Sequence, residues 1–334
     1  MRNRRVVITR RGGPEALALL EDDLPDPGPG EVQVRVLASG VAFGDVLKRR
    51  GLVPGMPPYP YTPGYDLVGV VEKVGAGVDR LNEGDRVAAL VLNGANAERA
   101  NVAADLPVVV PPGPDDAEAL CLVLNYVTAW QMLHRVAEVR HGQRVLVHGA
   151  AGGVGQALLQ LARLEGATAY GTASKAKHAV IERLGGTPID YRSEDFVLRV
   201  RGLSGGGVNA AFDAVGGSHL LRSWRAVRPG GTLVSYGVSS GLAGGTREML
   251  ITFLLVGLLK LRPLGPRVRF YGILTSDCST RETVRADLAA LLALLADGKL
   301  APVVAERLPF AEASRAHDLV ENARVAGKVV LVPG

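Results

Sequence analysis

The clearest chemistry in the chain lies in the run RVLVHGAAGGVGQALLQLARLEGA, Arg144 to Ala167. A β-branched strand pattern enters a glycine-rich turn, and Val154, Ala157, Leu158 and Leu161 then recur at helical spacing. The turn reads A-x-G-x-x-G, with Ala150 where the general dinucleotide fingerprint has its first glycine. Gly152 lets the backbone approach a pyrophosphate, and Gly155 lets the helix pack closely on the strand. The phosphates are expected on the backbone of Ala151, Gly152, Gly153 and Val154. There the free N–H groups and the helix dipole favour anions.

The next strand end chooses the cofactor. An NAD site places a carboxylate about 20 residues on, against the ribose 2′-hydroxyl. This chain has Gly171-Thr172-Ala173-Ser174 followed by Lys175, Lys177 and His178, with no acid before Glu182. Hydroxyl and ammonium groups suit a 2′-phosphate, so NADP(H) is the expected cofactor.

Two kinds of pattern must position this turn. Up to about residue 122, short strands such as Val32–Val36, Leu67–Val74 and Arg86–Leu90 alternate with turn residues, and Gly55–Pro63 is too proline-rich to be anything but loop. That is an antiparallel, barrel-like grammar. Beyond it, strands at Val145–His148, Ala167–Thr172, Ala210–Val215, Thr232–Gly237 and Val268–Ile273 alternate with helical patterns. Such alternation predicts a parallel sheet with helices on both faces. Ser279 and Glu282 form a candidate capping box for a late helix. The fold class is therefore α/β, with residues 1–122 as one domain, 123–300 as the nucleotide domain, and 301–334 returning to the first.

Composition removes several functions. The net charge of +5 is spread over scattered arginines, and aromatics make up only 5%, so nucleic-acid binding is not expected. Two cysteines, Cys121 and Cys278, cannot build a four-cysteine zinc cluster, and the six histidines show no metal spacing. The basic amino terminus lacks an apolar signal core, so a cytoplasmic location is expected. Met249–Leu259 is an unbroken apolar run, too short to span a bilayer, which needs about 20 residues. It is expected to be a buried helix at a domain or subunit interface, and with an edge strand near Val268–Ile273 it suggests a homodimer.

GYDLVGVVEKVGAGV (Gly64–Val78), GDRV (Gly84–Val87), LNYVTAW (Leu124–Trp130), HGAAGGVG (His148–Gly155), GTAS (Gly171–Ser174), IDYR (Ile189–Arg192), RPGG (Arg228–Gly231) and GKVVLVPG (Gly327–Gly334) extend over nearly the whole chain. In these segments it resembles the medium-chain dehydrogenase/reductase superfamily and, within it, the zinc-independent quinone oxidoreductase branch. It is similar to vesicle amine transport protein-like and enoyl reductase members. The resemblance implies a GroES-like catalytic domain, a Rossmann domain and a cofactor between them. It further implies a 2′-phosphate pocket of Ser174, Lys177, Tyr191 and Arg192. Nicotinamide contacts are implied at Thr128, at Gly237 to Ser239 and at Phe270, Tyr271 and Gly272, with Lys328 facing the cofactor.

The departures bear on mechanism. Where zinc-dependent members place a cysteine and a histidine, this chain has Ala42 and Tyr65, neither a normal zinc ligand, so no metal is expected. Many quinone reductases carry an asparagine at the place of Ala42 and a tyrosine at that of Val53. Without a Lewis acid, the accessible chemistry is hydride delivery to an acceptor that is already electrophilic. Tyr65 is a candidate proton donor or pocket wall, and Asp45 a candidate acid–base group or structural cap. Ala42, Phe43, Val53 and Asn125 are the candidate substrate pocket. The expected function is NADPH-dependent reduction of a quinone or an α,β-unsaturated carbonyl. The alternatives are reduction of enoyl thioesters and a catalytically silent NADPH-binding sensor.

Overall fold

The computed structural model describes residues 2–53, 56–262 and 264–334, and it divides into two compact units. One comprises residues 1–127 together with 281–334, the other residues 128–280. Gly55, the first residue of the expected proline-rich loop, lies outside the described residues.

The first unit opens with the hairpin β1 (Arg2–Ile8) and β2 (Leu17–Asp23), followed by β3 (Glu31–Val41) and the short helix α1 (Phe43–Arg49). Next come β4 (Asp66–Val74), β5 (Arg86–Leu90), β6 (Arg99–Ala103), β7 (Val108–Val109) and α2 (Asp116–Cys121). A helical passage then runs through π-type turns at Leu122–Tyr126 and Gln131–Val136, with α3 (Val127–Trp130) between them.

The second unit is a strand–helix series. It contains β8 (Arg144–His148), α4 (Gly153–Leu164), β9 (Thr168–Ala173), α5 (His178–Arg183), β10 (Thr187–Asp190) and α6 (Phe196–Ser204). It continues with β11 (Val208–Asp213), α7 (His219–Ala226), β12 (Val227–Ser235), α8 (Gly241–Lys260) and β13 (Arg267–Phe270). The chain then rejoins the first unit as α9 (Arg281–Ala296), β14 (Val304–Pro309), α10 (Ala313–Glu321) and β15 (Lys328–Val332).

The sheet of the first unit is open and ordered β14-β15-β3-β4-β5-β7, with β6 also paired to β3. Long β3 explains this arrangement: one edge takes β4, while the other takes β6 on its first half and β15 on its last. Val32, Val34, Val36, Leu67, Val71 and Val87 fill its core. The expected boundary at 300 moves to 280. Helix α9 buries Val284, Leu288, Leu291, Leu292 and Leu295, and its Arg281 pairs with Asp105 of the first unit. Ser279 does not cap this helix, because its hydroxyl accepts the Leu274 N–H at 2.9 Å and the helix starts at Arg281.

The second unit is a parallel sheet ordered β10-β9-β8-β11-β12-β13, the 3-2-1-4-5-6 arrangement of a doubly wound dinucleotide-binding sheet. All its strands end at one carboxyl edge, where ligands of such sheets bind. Within the single chain, helix α8, expected to be buried at a domain or subunit interface, is covered on one side only. Thr252, Val256 and Leu259 face inward, but Leu250, Phe253, Leu254 and Leu258 are between 48% and 70% exposed. By length and composition it is the one described helix that could cross a membrane. Gly245, at φ +62°, interrupts its helical backbone. The continuous part from Thr246 to Lys260 rises only about 22 Å, less than a bilayer core of about 30 Å.

His317 on α10 is fully buried, and neither ring nitrogen has a hydrogen-bond partner among the described residues. Burial, aided by the Arg49 guanidinium, pushes it down to about 3 from the ordinary 6.5. The unfolded chain therefore binds a proton that the folded chain refuses between those values. Stability is lost as pH falls through that window, at about 1.4 kcal/mol per pH unit. Buried His148 adds a second slope of the same sign, being likewise held at about 3. Replacing His317→Leu should flatten the acid loss. The thermal midpoint of the variant relative to the parent should rise between pH 7.5 and pH 5, and an unchanged difference would count against this account.

Candidate functional site

The glycine-rich turn leaves β8 at the centre of the parallel sheet. Gly149, not Ala150, takes the left-handed backbone (φ +63°) that turns the chain. Ala150 can replace the fingerprint's first glycine because its side chain is fully buried, packed where Gly171 of β9 leaves room for it. Gly152 precedes α4, which has no side-chain cap, so its first-turn N–H groups point outward for an anion. A Cβ on Gly155 would press on the Gly149 carbonyl oxygen and lie 2.6 Å from the Ala150 Cα. The turn is braced by Gln156, whose amide donates to the Ala151 carbonyl oxygen at 2.7 Å, a contact that no motif marks. The cradle fits a dinucleotide pyrophosphate.

Beside it, Ala173 ending β9 stands in register with Asp190 ending β10. Ser174 and Lys177 therefore leave the sheet next to Tyr191 and Arg192, as a shared pocket requires. Tyr191 is half exposed, and the Arg192 guanidinium lies 5.8 Å from its ring centre. Partial burial lowers the Lys177 ammonium. Asp190 accepts the Arg192 N–H and the Ser193 hydroxyl in a local turn.

On the other side, the loops after β11 and β12 are sewn together. Ser239 and Ser240 N–H groups donate to the Ala214 and Val215 carbonyls, and Gly217 N–H donates to the Thr252 hydroxyl at 2.7 Å. This places Gly237 and Ser239 on the carboxyl edge; the β11 loop is an addition that sequence reasoning missed. Strand β13 ends at Phe270, in register with Ser235. Phe270 is half-exposed and contacts the Phe253 ring, whereas the Tyr271 hydroxyl is spent inside the unit on Gln131 at 2.8 Å. Thr128 is buried at the start of this unit.

Under the sheet, a polar cluster joins residues far apart in sequence. His148 Nδ1 meets the Thr172 hydroxyl at 2.9 Å and its Nε2 meets Ser223 at 3.1 Å. Ser223 and His219 both bond Asp213, whose other oxygen accepts the Val215 and Gly216 N–H groups. Burial alone would raise Asp213, but these partners override it and hold the carboxyl well below its usual range. Contrary to the sequence expectation, His148, Asp213 and His219 do bring ligand-type atoms within 4.8 Å of one another. Their hydrogen bonds to each other and to the two hydroxyls account for them as a brace for the β11 loop.

In the first unit, Asp45 is fully buried, and its two oxygens accept the Ala42 N–H at 2.9 Å and the Gly64 N–H at 3.1 Å. It thus ties together the segments carrying Ala42 and Tyr65. Burial raises it to about 6. Tyr65 packs on Gly44, and Lys48, one turn beyond Asp45, lies 3.8 Å from the Tyr65 ring centre. Phe43 and Val53 are half-buried, while Ala42 and Asn125 are buried.

Two families match the chain: the alcohol dehydrogenase GroES-like domain over residues 28–108, and zinc-binding dehydrogenase over residues 184–331. A synaptic vesicle membrane protein VAT-1 homolog of Rattus norvegicus is 36% identical, across 98% of this chain and 84% of that protein. The 2-haloacrylate reductase of a Burkholderia species is 34% identical, across 98% of each. A crystal structure of Escherichia coli quinone oxidoreductase complexed with NADPH superposes with a TM-score of 0.88 at 32% identity, covering 99% of this chain and 100% of that one. The chain belongs to the medium-chain dehydrogenase/reductase superfamily. As a member without the usual metal ligands, it does not fit a zinc ion at the expected place. Ala42 offers no donor, Tyr65 is a phenol over Gly44, and Asp66 is committed elsewhere. The Asp66 carboxylate takes the Lys328 ammonium at 2.6 Å, with both side chains buried. Lys328, expected to face the cofactor, has its ammonium on Asp66 in this structure. At the start of β15 it reaches across Gly40, whose missing side chain leaves the space the pair occupies.

Proposed function

We propose that this protein is a zinc-independent reductase of quinones or α,β-unsaturated carbonyls. It is an NADPH-dependent oxidoreductase of the medium-chain superfamily. The acceptor class is the inference, and one observation carries it: a phenol, Tyr65, stands where a metal ligand would be. Such a site can donate a proton but cannot polarise an unactivated carbonyl, so the acceptor must be electrophilic by itself. Phe43, Val53, Ala42 and Asn125 give a mostly apolar wall for a small planar substrate. Asp45 fixes the backbone of that wall rather than meeting substrate, since both its oxygens are occupied.

NADPH supplies the hydride when bound. The turn of Ala151, Gly152, Gly153 and Val154 holds its pyrophosphate, and Ser174, Lys177, Tyr191 and Arg192 surround its 2′-phosphate. Replacing Lys177→Ala should weaken NADPH about tenfold and leave NADH unchanged, the cost of one charge-assisted contact. Equal losses for the two cofactors in a fluorescence titration would remove Lys177 from the pocket.

NADPH oxidation against a panel of quinones, enones and enoyl thioesters tests the acceptor. Turnover of quinones or enones is expected. Preference for thioesters would instead favour an enoyl-thioester reductase, and tight NADPH binding with no turnover at all a sensing role.

We also infer a homodimer through the second unit. Strand β13 is an edge with one paired neighbour, and the exposed Leu250, Leu254 and Leu258 on α8 leave an apolar stripe without cover. Light scattering should give twice the 35.0 kDa chain mass, and one chain mass for Leu254→Asp.

A further inference from the structure

The acceptor wall of Ala42, Phe43, Val53 and Asn125 offers no acid, yet the helix that follows Ala42 carries a buried cation, Lys48, that no sequence motif marked. We propose that Lys48 and Tyr65 act together as the proton-donating pair for the acceptor oxygen, Tyr65 as the catalytic donor and Lys48 as its positioning and charge-balancing partner. This rests on the acceptor class proposed above.

The pair is a built feature. Lys48 is 6% exposed, and its ammonium donates to the Leu92 carbonyl at 2.7 Å and to Asn93 Oδ1 at 2.8 Å. With those two bonds made, the ammonium also faces the Tyr65 ring at 3.8 Å. Leu92 holds a left-handed backbone (φ +68°), a conformation costing a branched residue about 1 kcal/mol, and its carbonyl is the Lys48 acceptor. The same strap fixes Tyr65 from behind, since Val91 and Leu92 N–H groups both donate to the Tyr65 carbonyl. A Cβ on Gly44 would lie 2.6 Å from the Tyr65 oxygen, so glycine there gives the ring its place. The hydroxyl itself has no hydrogen-bond partner among the described residues, while three other groups immobilise the ring and backbone. An acid held ready for a ligand looks like this.

Chemically the step is complete. Hydride arriving at the electrophilic carbon forms a C–H bond and pushes an electron pair onto the acceptor oxygen. The Tyr65 O–H bond breaks, the proton goes to that oxygen, and the phenolate left behind lies beneath the Lys48 charge until water reprotonates it. Without Lys48 that phenolate would be prohibitive, because burial and the Asp45 charge already raise the phenol. The titratable groups facing the pair are Asp45 and Tyr61. Burial lowers Lys48 itself, and Asp45 offsets only part of this.

The test is the pH profile of kcat/KM for the full chain and for Tyr65→Phe, Lys48→Met and Lys48→Arg. Activity of the parent should fall at alkaline pH, below the ordinary lysine range, as Lys48 loses its proton. Tyr65→Phe and Lys48→Met should each lose about 100-fold at neutral pH, within the usual span for acid catalysis. Lys48→Arg should recover to within about tenfold and lose the alkaline limb, because a guanidinium stays charged. A Lys48→Met enzyme within twofold of the parent, or one that keeps the limb, overturns the proposal. A second readout needs no turnover: the absorption of bound cinnamaldehyde should shift to the red on the parent and on Lys48→Arg, but not on Tyr65→Phe. No shift on the parent overturns the pair. A shift without turnover of any quinone or enone leaves the pair standing and overturns the acceptor class.

Discussion

Replacing Gly155→Val should raise the NADPH dissociation constant by at least about 100-fold while the rest of the chain stays folded. The added Cβ lies 2.6 Å from the Ala150 Cα and presses on the Gly149 oxygen, and both are backbone atoms that no rotamer change can move aside. Overpacking of this kind costs about 1–3 kcal/mol, and it falls on the turn that aims the first N–H groups of α4. An aim lost by about 1 Å forfeits several charge-assisted bonds together, and every 1.4 kcal/mol is a factor of ten in affinity. Gly152→Ala is the control. Its Cβ would lie 3.3 Å from the same oxygen, a contact that a small shift relieves, so its loss should be much milder. Titration by nicotinamide fluorescence decides the matter: near-parental affinity in Gly155→Val would show that the turn is not the cradle.

The second large effect is on stability. Lys328→Met leaves the Asp66 carboxylate fully buried without its cation, and its second oxygen already lacks a partner among the described residues. Breaking such a pair from one side costs about 3–5 kcal/mol, whereas replacing both members by apolar groups is often neutral. Urea unfolding should therefore show a deep loss for Lys328→Met and most of it restored in the double variant Lys328→Met with Asp66→Leu. Were Lys328 a cofactor contact instead, the single variant would weaken NADPH and leave the urea midpoint in place.

These two sites mark how far the sequence could be read. The Gly155 turn is local: strand, turn and helix follow one another within a few residues, and their order alone exposes the cradle. The same locality misled on one point, because the fingerprint directs attention to Ala150 while the left-handed turn residue is Gly149. Lys328 and Asp66 meet only because β15 inserts beside β3, which pairs with β4, and no spacing rule joins residues so far apart. Lys48 stayed hidden for a related reason. Its partners are a strained loop at Leu92 and a ring on another segment, and no local spacing marks either. For α9, an apolar face shows that a helix packs, but not against which core. The exposed stripe of α8 has the complementary difficulty: composition records an appetite for burial and does not say whether the chain itself satisfies it.

The split of the first unit between residues 1–127 and 281–334 has a consequence for synthesis. The second unit is continuous in sequence, so it is complete as soon as its last strand leaves the ribosome. The first unit is not. Its strand β15 sits between β14 and β3 rather than at an edge, so the earlier-made strands must wait, the last part of one β3 flank unpaired, until β15 is translated. Losing Lys328–Val332 would remove an interior strand of that sheet.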